Sequence, residues 1–102
     1  ITVNEKQYQQ SLILSPEVLI DPSPINCVGD LNEQTLQCVL DLNPDVVLLG
    51  TGEKQIFPEP KIFGLLGEKG IGLEVMNTGA LCRTFNILVA EDRDVVAIII
   101  QD

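Results

Sequence analysis

The 102 residues are 45% apolar but only 4% aromatic, and six Lys and Arg against fifteen Asp and Glu leave a net charge of −9. A charge of that sign repels phosphate backbones and anionic lipid surfaces, so nucleic acid is set aside as a partner and a neutral or basic protein is kept. The length suits one domain over residues 1–102, with a core built from Val, Ile and Leu.

Ile1 to Asn4 reads as a strand, Glu5-Lys6-Gln7 as a turn and Tyr8 to Leu14 as a second strand. Ser15-Pro16 breaks it, residues 17–20 make a short third strand, and Asp21-Pro22-Ser23-Pro24 ends that one because proline cannot donate to a ladder. The period then changes. Asp30 stands where an N-cap belongs, Glu33 follows three residues later, and Leu31, Leu36, Val39, Leu40 and Leu42 recur at helical spacing up to Asn43-Pro44. Residues 45–49 are a buried strand, 59–69 a helix with Ile62, Phe63, Leu65 and Leu66 inward and Gly70 as its stop, and 71–76 a strand. Thr78 can cap a helix to about Ala90 with Leu81, Phe85 and Leu88 as its stripe, before the Glu91-Asp92-Arg93-Asp94 turn and a last strand over 95–100.

Strands alternating with helices imply parallel pairing, so segments 46–49, 71–76 and 95–100 are expected side by side, pointing the same way. The N-terminal antiparallel strands are expected as a second layer packed on that sheet. The apolar runs 87–90 and 95–100 are far shorter than the ~20 residues of a membrane-crossing helix, so no transmembrane segment is expected. The chain opens at Ile1 rather than Met and shows no basic-then-apolar leader, which points to processing or trimming. Cys27, Cys38 and Cys82 form no CxxC pair, and there is no histidine to complete a zinc site. No metal or cofactor is therefore expected, and free thiols suit a reducing, cytoplasmic setting.

Ligands of parallel sheets bind beyond the carboxyl ends of the strands, where Gly50-Thr51-Gly52 and Asn77-Thr78-Gly79 should meet. The two loops could hold a small anion, with the helix that follows Thr78 offering its amino end and Lys54 and Arg83 adding charged donors. Both named phosphate patterns fail, however, because Gln55 stands where each requires glycine. A structural turn is thus the favoured reading of the glycines. Cys82 lacks a histidine to act as its base, so an inert thiol is favoured over a nucleophile. Glu53, Glu68 and Glu74 give no spacing that marks an acid–base pair, and no catalytic residue is assigned. Asn86, flanked by Phe85, Ile87, Leu88 and Val89, is read as a buried amide bonded to backbone rather than as crevice lining, and Arg93 as a solvated charge among acids.

PDVVLLGTGEKQIFPEP, GIGLEVMNTGALCRTFNIL and the AEDRDVVA turn resemble the Mth-domain family, over roughly residues 12–100. Thr78, Asn86 and Arg93 fall at family positions, whereas Cys27 stands where many bacterial relatives have Trp and Lys54 where Arg is common. The resemblance implies an α/β fold in three β/β/α layers, a central parallel sheet with a second antiparallel one. It brings no established reaction, and its mitochondrial relative acts as an assembly factor by binding a protein. A non-catalytic interaction module with a protein partner is therefore the first expectation. The alternative is a protein or enzyme for a small anionic metabolite, with Gly50, Thr51, Gly52, Lys54, Thr78, Arg83, Asn86 and Arg93 as candidate ligand-binding residues.

Overall fold

The structure, a computed structural model, describes residues 2–3, 6–21 and 23–101. In chain order it runs β1 (Thr2–Val3), β2 (Lys6–Gln7), β3 (Leu12–Leu14), β4 (Leu19–Ile20), α1 (Glu33–Leu40), β5 (Val46–Gly50), α2 (Pro60–Gly67), β6 (Gly72–Met76), α3 (Thr78–Ala90) and β7 (Val95–Ile99), with a 3₁₀ turn, Val28–Asp30, before α1. A five-stranded mixed sheet in the order β4-β3-β7-β5-β6 is the frame. β5 pairs in parallel with β6 on one side and β7 on the other. β3 joins β7 antiparallel, Leu12 opposite Ile99, and β4 closes that edge.

The three expected parallel strands are thus neighbours. The N-terminal strands β3 and β4, expected as a separate layer, instead extend the same sheet. The reason is burial on both faces: Leu12 and Ile13 are each fully buried, which a strand packed as an outer layer over a finished sheet does not need. β1 and β2 form a separate two-stranded antiparallel sheet. Lys6 and Gln7, expected in the turn, are its second strand, while Ile1, Asn4, Glu5, Pro22 and Asp102 lie outside the described residues.

Strand alternation sends side chains to two cores. Val47, Leu49, Val75, Val96 and Ile98 meet Leu36 and Val39 of α1 and Ile62 and Leu66 of α2. Val46, Leu48, Val95, Ala97 and Ile99 meet Leu81, Phe85 and Leu88 of α3. Helices therefore cover both faces, and β5 and β7 are buried along their whole length. The stripe expected on α3 faces inward, but Phe63 of α2, expected inward, is exposed because Ile62 and Leu66 already take the core-facing positions one turn apart.

Helix ends also differ in detail from the sequence reading. α1 is capped by Asn32, whose side chain accepts from Thr35 N–H at 2.9 Å while Asn32 N–H donates to Thr35 Oγ1 at 3.0 Å. This reciprocal box displaces Asp30, which instead accepts from Asn26 N–H at 2.9 Å. α2 ends at Gly67, short of the expected residue 69, and a turn carries the chain to Gly70, whose φ of 74° is open to glycine at low cost.

Candidate functional site

At the carboxyl edge of β5, β6 and β7 the ladder continues into the loops. Thr51 N–H donates to Met76 C=O at 3.1 Å, Thr78 N–H to Gly52 C=O at 2.9 Å and Ile100 N–H to Gly50 C=O at 2.9 Å. Gly52 N–H then donates to Thr78 Oγ1 at 3.1 Å. The two glycine loops are consequently stitched together, and Thr51 and Thr78 emerge on one edge.

Each glycine of the first loop has its own reason. A Cβ on Gly50 would lie 2.8 Å from Leu81 Cδ1, so α3 lies on the sheet only because residue 50 has no side chain. Gly52 has open space around it but a φ of 85°, the left-handed region of a tight turn. Neither requirement involves a ligand, which supports reading the glycines as backbone geometry.

The hydroxyls are also engaged. Thr51, 7% exposed, donates to Lys54 C=O at 2.5 Å and accepts from Ile56 N–H at 3.0 Å. Gln55 Nε2 reaches across to Val75 C=O at 2.7 Å. α3 is capped by Asn77 rather than by Thr78: the Asn77 side chain accepts from Ala80 N–H at 2.8 Å, while the Thr78 hydroxyl is turned to Gly52. Between the loops lies an open groove of about 980 Å³ lined by Thr51, Gly52, Lys54, Asn77, Thr78 and Cys82 among others.

The expected site residues separate into three groups. Thr51, Gly52, Lys54 and Thr78 line the groove, with Gly50 beneath them. Arg83 is exposed on α3, its guanidinium 3.9 Å from where a Cβ on Gly79 would lie. Asn86 is exposed further along the same helix, so the buried amide expected there is not formed; α3 turns Leu81, Phe85 and Leu88 to the sheet and leaves residues 86 and 87 outward. Arg93 lies at the opposite end of the sheet, Nε 3.4 Å from Asp45 Oδ2 just before β5. The five residues of β5 put about 16 Å between that end and the groove.

Cys27, Cys38 and Cys82 are all free. Burial pushes the Cys38 thiol above its ordinary pKa, and its Sγ donates to Thr35 C=O at 3.3 Å. Among the described residues no three His, Cys, Asp or Glu stand close enough to hold a metal ion, and every buried side-chain N or O has a hydrogen-bond partner. No helix among them is long and apolar enough to cross a membrane.

Sequence reasoning missed the apolar pair beside the groove. Ile56 is 50% and Phe57 62% exposed. Their signal was present in Pro58 and Pro60, which start α2 too late to draw the pair into a helix face. The Thr51, Gln55 and buried Pro58 contacts fix the loop that carries them.

The chain is 35% identical to the 13 kDa major membrane protein of Francisella tularensis over 96% of its own length and 80% of that protein. It is 34% identical to NADH dehydrogenase (ubiquinone) 1 alpha subcomplex assembly factor 3 of Xenopus tropicalis over 70% of its length, spanning only 40% of that protein. Among solved structures, a Xanthomonas campestris protein shares 43% identity at a TM-score of 0.90 over 97% of this chain and 75% of that one. A Bordetella pertussis Mth938-like domain shares 28% identity at a TM-score of 0.80, over 97% of this chain and 78% of that one. Together with a match over residues 1–100 to the family described as protein of unknown function, DUF498/DUF598, these place the chain in that family, whose structural relatives carry the Mth938-like domain its loops resemble.

Proposed function

We propose that the chain acts as one non-catalytic interaction module that helps assemble other polypeptides, with Ile56 and Phe57 as its contact. The observation that carries this reading is the exposure of these two large apolar side chains at 50% and 62% on a loop whose backbone is pinned by Thr51 and Gln55. Keeping an apolar pair half to two-thirds exposed forgoes about 1–2 kcal/mol of burial for each side chain, a loss a partner would recover. Aromatic anchors of this kind concentrate in interface centres. The assembly-factor name of the mitochondrial relatives points the same way. A photo-crosslinking phenylalanine analogue at position 57, with position 34 of α1 as control, should capture a discrete protein in the native cell only at 57. Equal labelling at both positions, or none at 57, would overturn the reading.

A second reading rests on the groove. Its lining by Thr51, Gly52, Lys54 and Thr78, with Arg83 nearby, suits a small anionic metabolite. A ligand at a hundredfold excess over its Kd would stabilise the fold by about 2.7 kcal/mol, readable as a thermal shift across a metabolite library. A Lys54→Ala variant that keeps the whole shift would remove this reading.

A further inference from the structure

The sheet ends on β6, whose outer edge is open apart from one bond from the Gln55 side chain. In a parallel pair the backbone groups of alternate residues point to the same neighbour. Gly72 N–H bonds Asp45 C=O at 3.2 Å and Thr51 N–H bonds Met76 C=O at 3.1 Å, which fixes the phase: Gly72, Glu74 and Met76 serve β5, and Leu73 and Val75 turn their backbone groups outward. Val75 C=O takes the Gln55 amide. Among the described residues, the N–H and C=O of Leu73 and the N–H of Val75 have no partner. Sheets commonly blunt such an edge with a charge, proline, a bulge or a covering segment; β6 keeps five residues in unbroken register and carries a single charge, Glu74.

Charge decides what fits there. Glu74 stands exposed at the middle of the edge. The register that would pair all five residues of β6 with a second copy sets Glu74 against its own counterpart, with about 4.5 Å between the Cα atoms, where like charges repel. Two chains of net charge −9 also repel at longer range. A strand from another protein meets no such bar, and a Lys or Arg opposite Glu74 gains a cross-strand ion pair. The neighbours of that residue fall on the face of Leu73 and Val75, which belong to the apolar core under α1 and α2.

We infer that β6 is a docking edge for an extended segment of a partner protein, apolar–basic–apolar in sequence, with its basic side chain opposite Glu74. This rests on the protein-binding reading above and supplies its edge and its chemistry, since Gln55 ties the loop carrying Ile56 and Phe57 to the same strand.

The test is a titration of the isotope-labelled full chain with a short peptide of alternating Val and Thr carrying one central Lys, and with the same peptide carrying Glu instead. The Lys peptide should shift the amides of Leu73 and Val75 and slow their hydrogen exchange, and should bind about tenfold tighter than the Glu peptide. In the exposed Glu74→Lys variant the preference should reverse. Equal affinity for both peptides overturns the inference, as does self-association through β6 seen by sedimentation, which would make a second copy the occupant. Shifts confined to residues 51–57 overturn the edge alone and leave the interaction-module reading standing, because cross-linking at position 57 decides that reading separately.

Discussion

Replacing Gly50 by alanine separates a glycine needed for packing from one needed for a ligand. The new Cβ would lie 2.8 Å from Leu81 Cδ1, 3.5 Å from Thr78 Oγ1 and 3.6 Å from Leu81 Cβ. Reaching an ordinary carbon–carbon separation of about 3.5 Å requires a shift of about 0.7 Å. Leu81 is 1% exposed, so its side chain has no free volume to enter and α3 must lift from the sheet. Overpacking of this kind costs about 1–3 kcal/mol. The lower chain entropy of alanine returns about 0.5–1 kcal/mol. Taken at the middle of both ranges, the net expectation is a loss of about 1 kcal/mol, or about 4–8 °C in Tm for a domain of this size, read by urea unfolding and thermal circular dichroism. Leu81→Ala alone should cost about 2–5 kcal/mol. In the double variant the alanine methyl enters the space that Leu81 leaves, so the combined loss should be smaller than the sum by at least ~0.5 kcal/mol. A neutral or stabilising Gly50→Ala, or strict additivity with Leu81→Ala, refutes the packing account.

Thr78→Val keeps the shape of the groove but removes the acceptor for Gly52 N–H; stability should fall by about 1 kcal/mol and Gly52 amide exchange should accelerate, and unchanged exchange would show that the stitch between the loops does not hold. Burial raises the Cys38 pKa in the folded chain. The unfolded thiol ionises first, at about pH 8.5, so its contribution is fully present below that pH and is lost as pH rises toward the folded value. Urea midpoints taken from pH 7 to 10 should therefore decline less steeply in Cys38→Ala than in the parent, and parallel declines would contradict this. Arg93→Ala breaks a pair whose side chains are 46% and 51% exposed, so stability should move by no more than about 0.5 kcal/mol. Because Arg93 sits at the opposite end of the sheet, cross-linking at position 57 should be unaffected, and its loss in this variant would contradict that placement.

The parallel frame was legible because its cues are local. Residues 46–49 and 95–100 are unbroken apolar runs, Gly70 marks a helix stop, and Leu81, Phe85 and Leu88 repeat at helical spacing. The placement of β3 was not legible in the same way, because its partner β7 is over 80 residues distant and pairing at that separation leaves no periodic trace. A cue did exist: Leu12, Ile13 and Leu14 are consecutive apolar residues, the mark of a strand with both faces covered, and Ser11, Leu12 and Ile13 are all buried. Ser11 is tolerated there because its Oγ accepts from Gln101 N–H at 2.8 Å. At the site, the loops' meeting was readable from topology, but the engagement of the Thr51 and Thr78 hydroxyls depends on side-chain rotamers that spacing does not encode. Arg93 entered the candidate set through its family position, although the turn that carries it precedes the last parallel strand and so lies at the sheet end opposite the glycine loops.

The strand at the centre of the sheet, β7, follows the sheet's other four strands in the sequence, while β3, which pairs with it, precedes them all. The 85 residues between Leu14 and Ile99 take roughly 4–17 seconds to translate at ordinary speeds. Throughout that interval β3 has only β4 beside it, and the five-stranded sheet closes when β7 slots between β3 and β5.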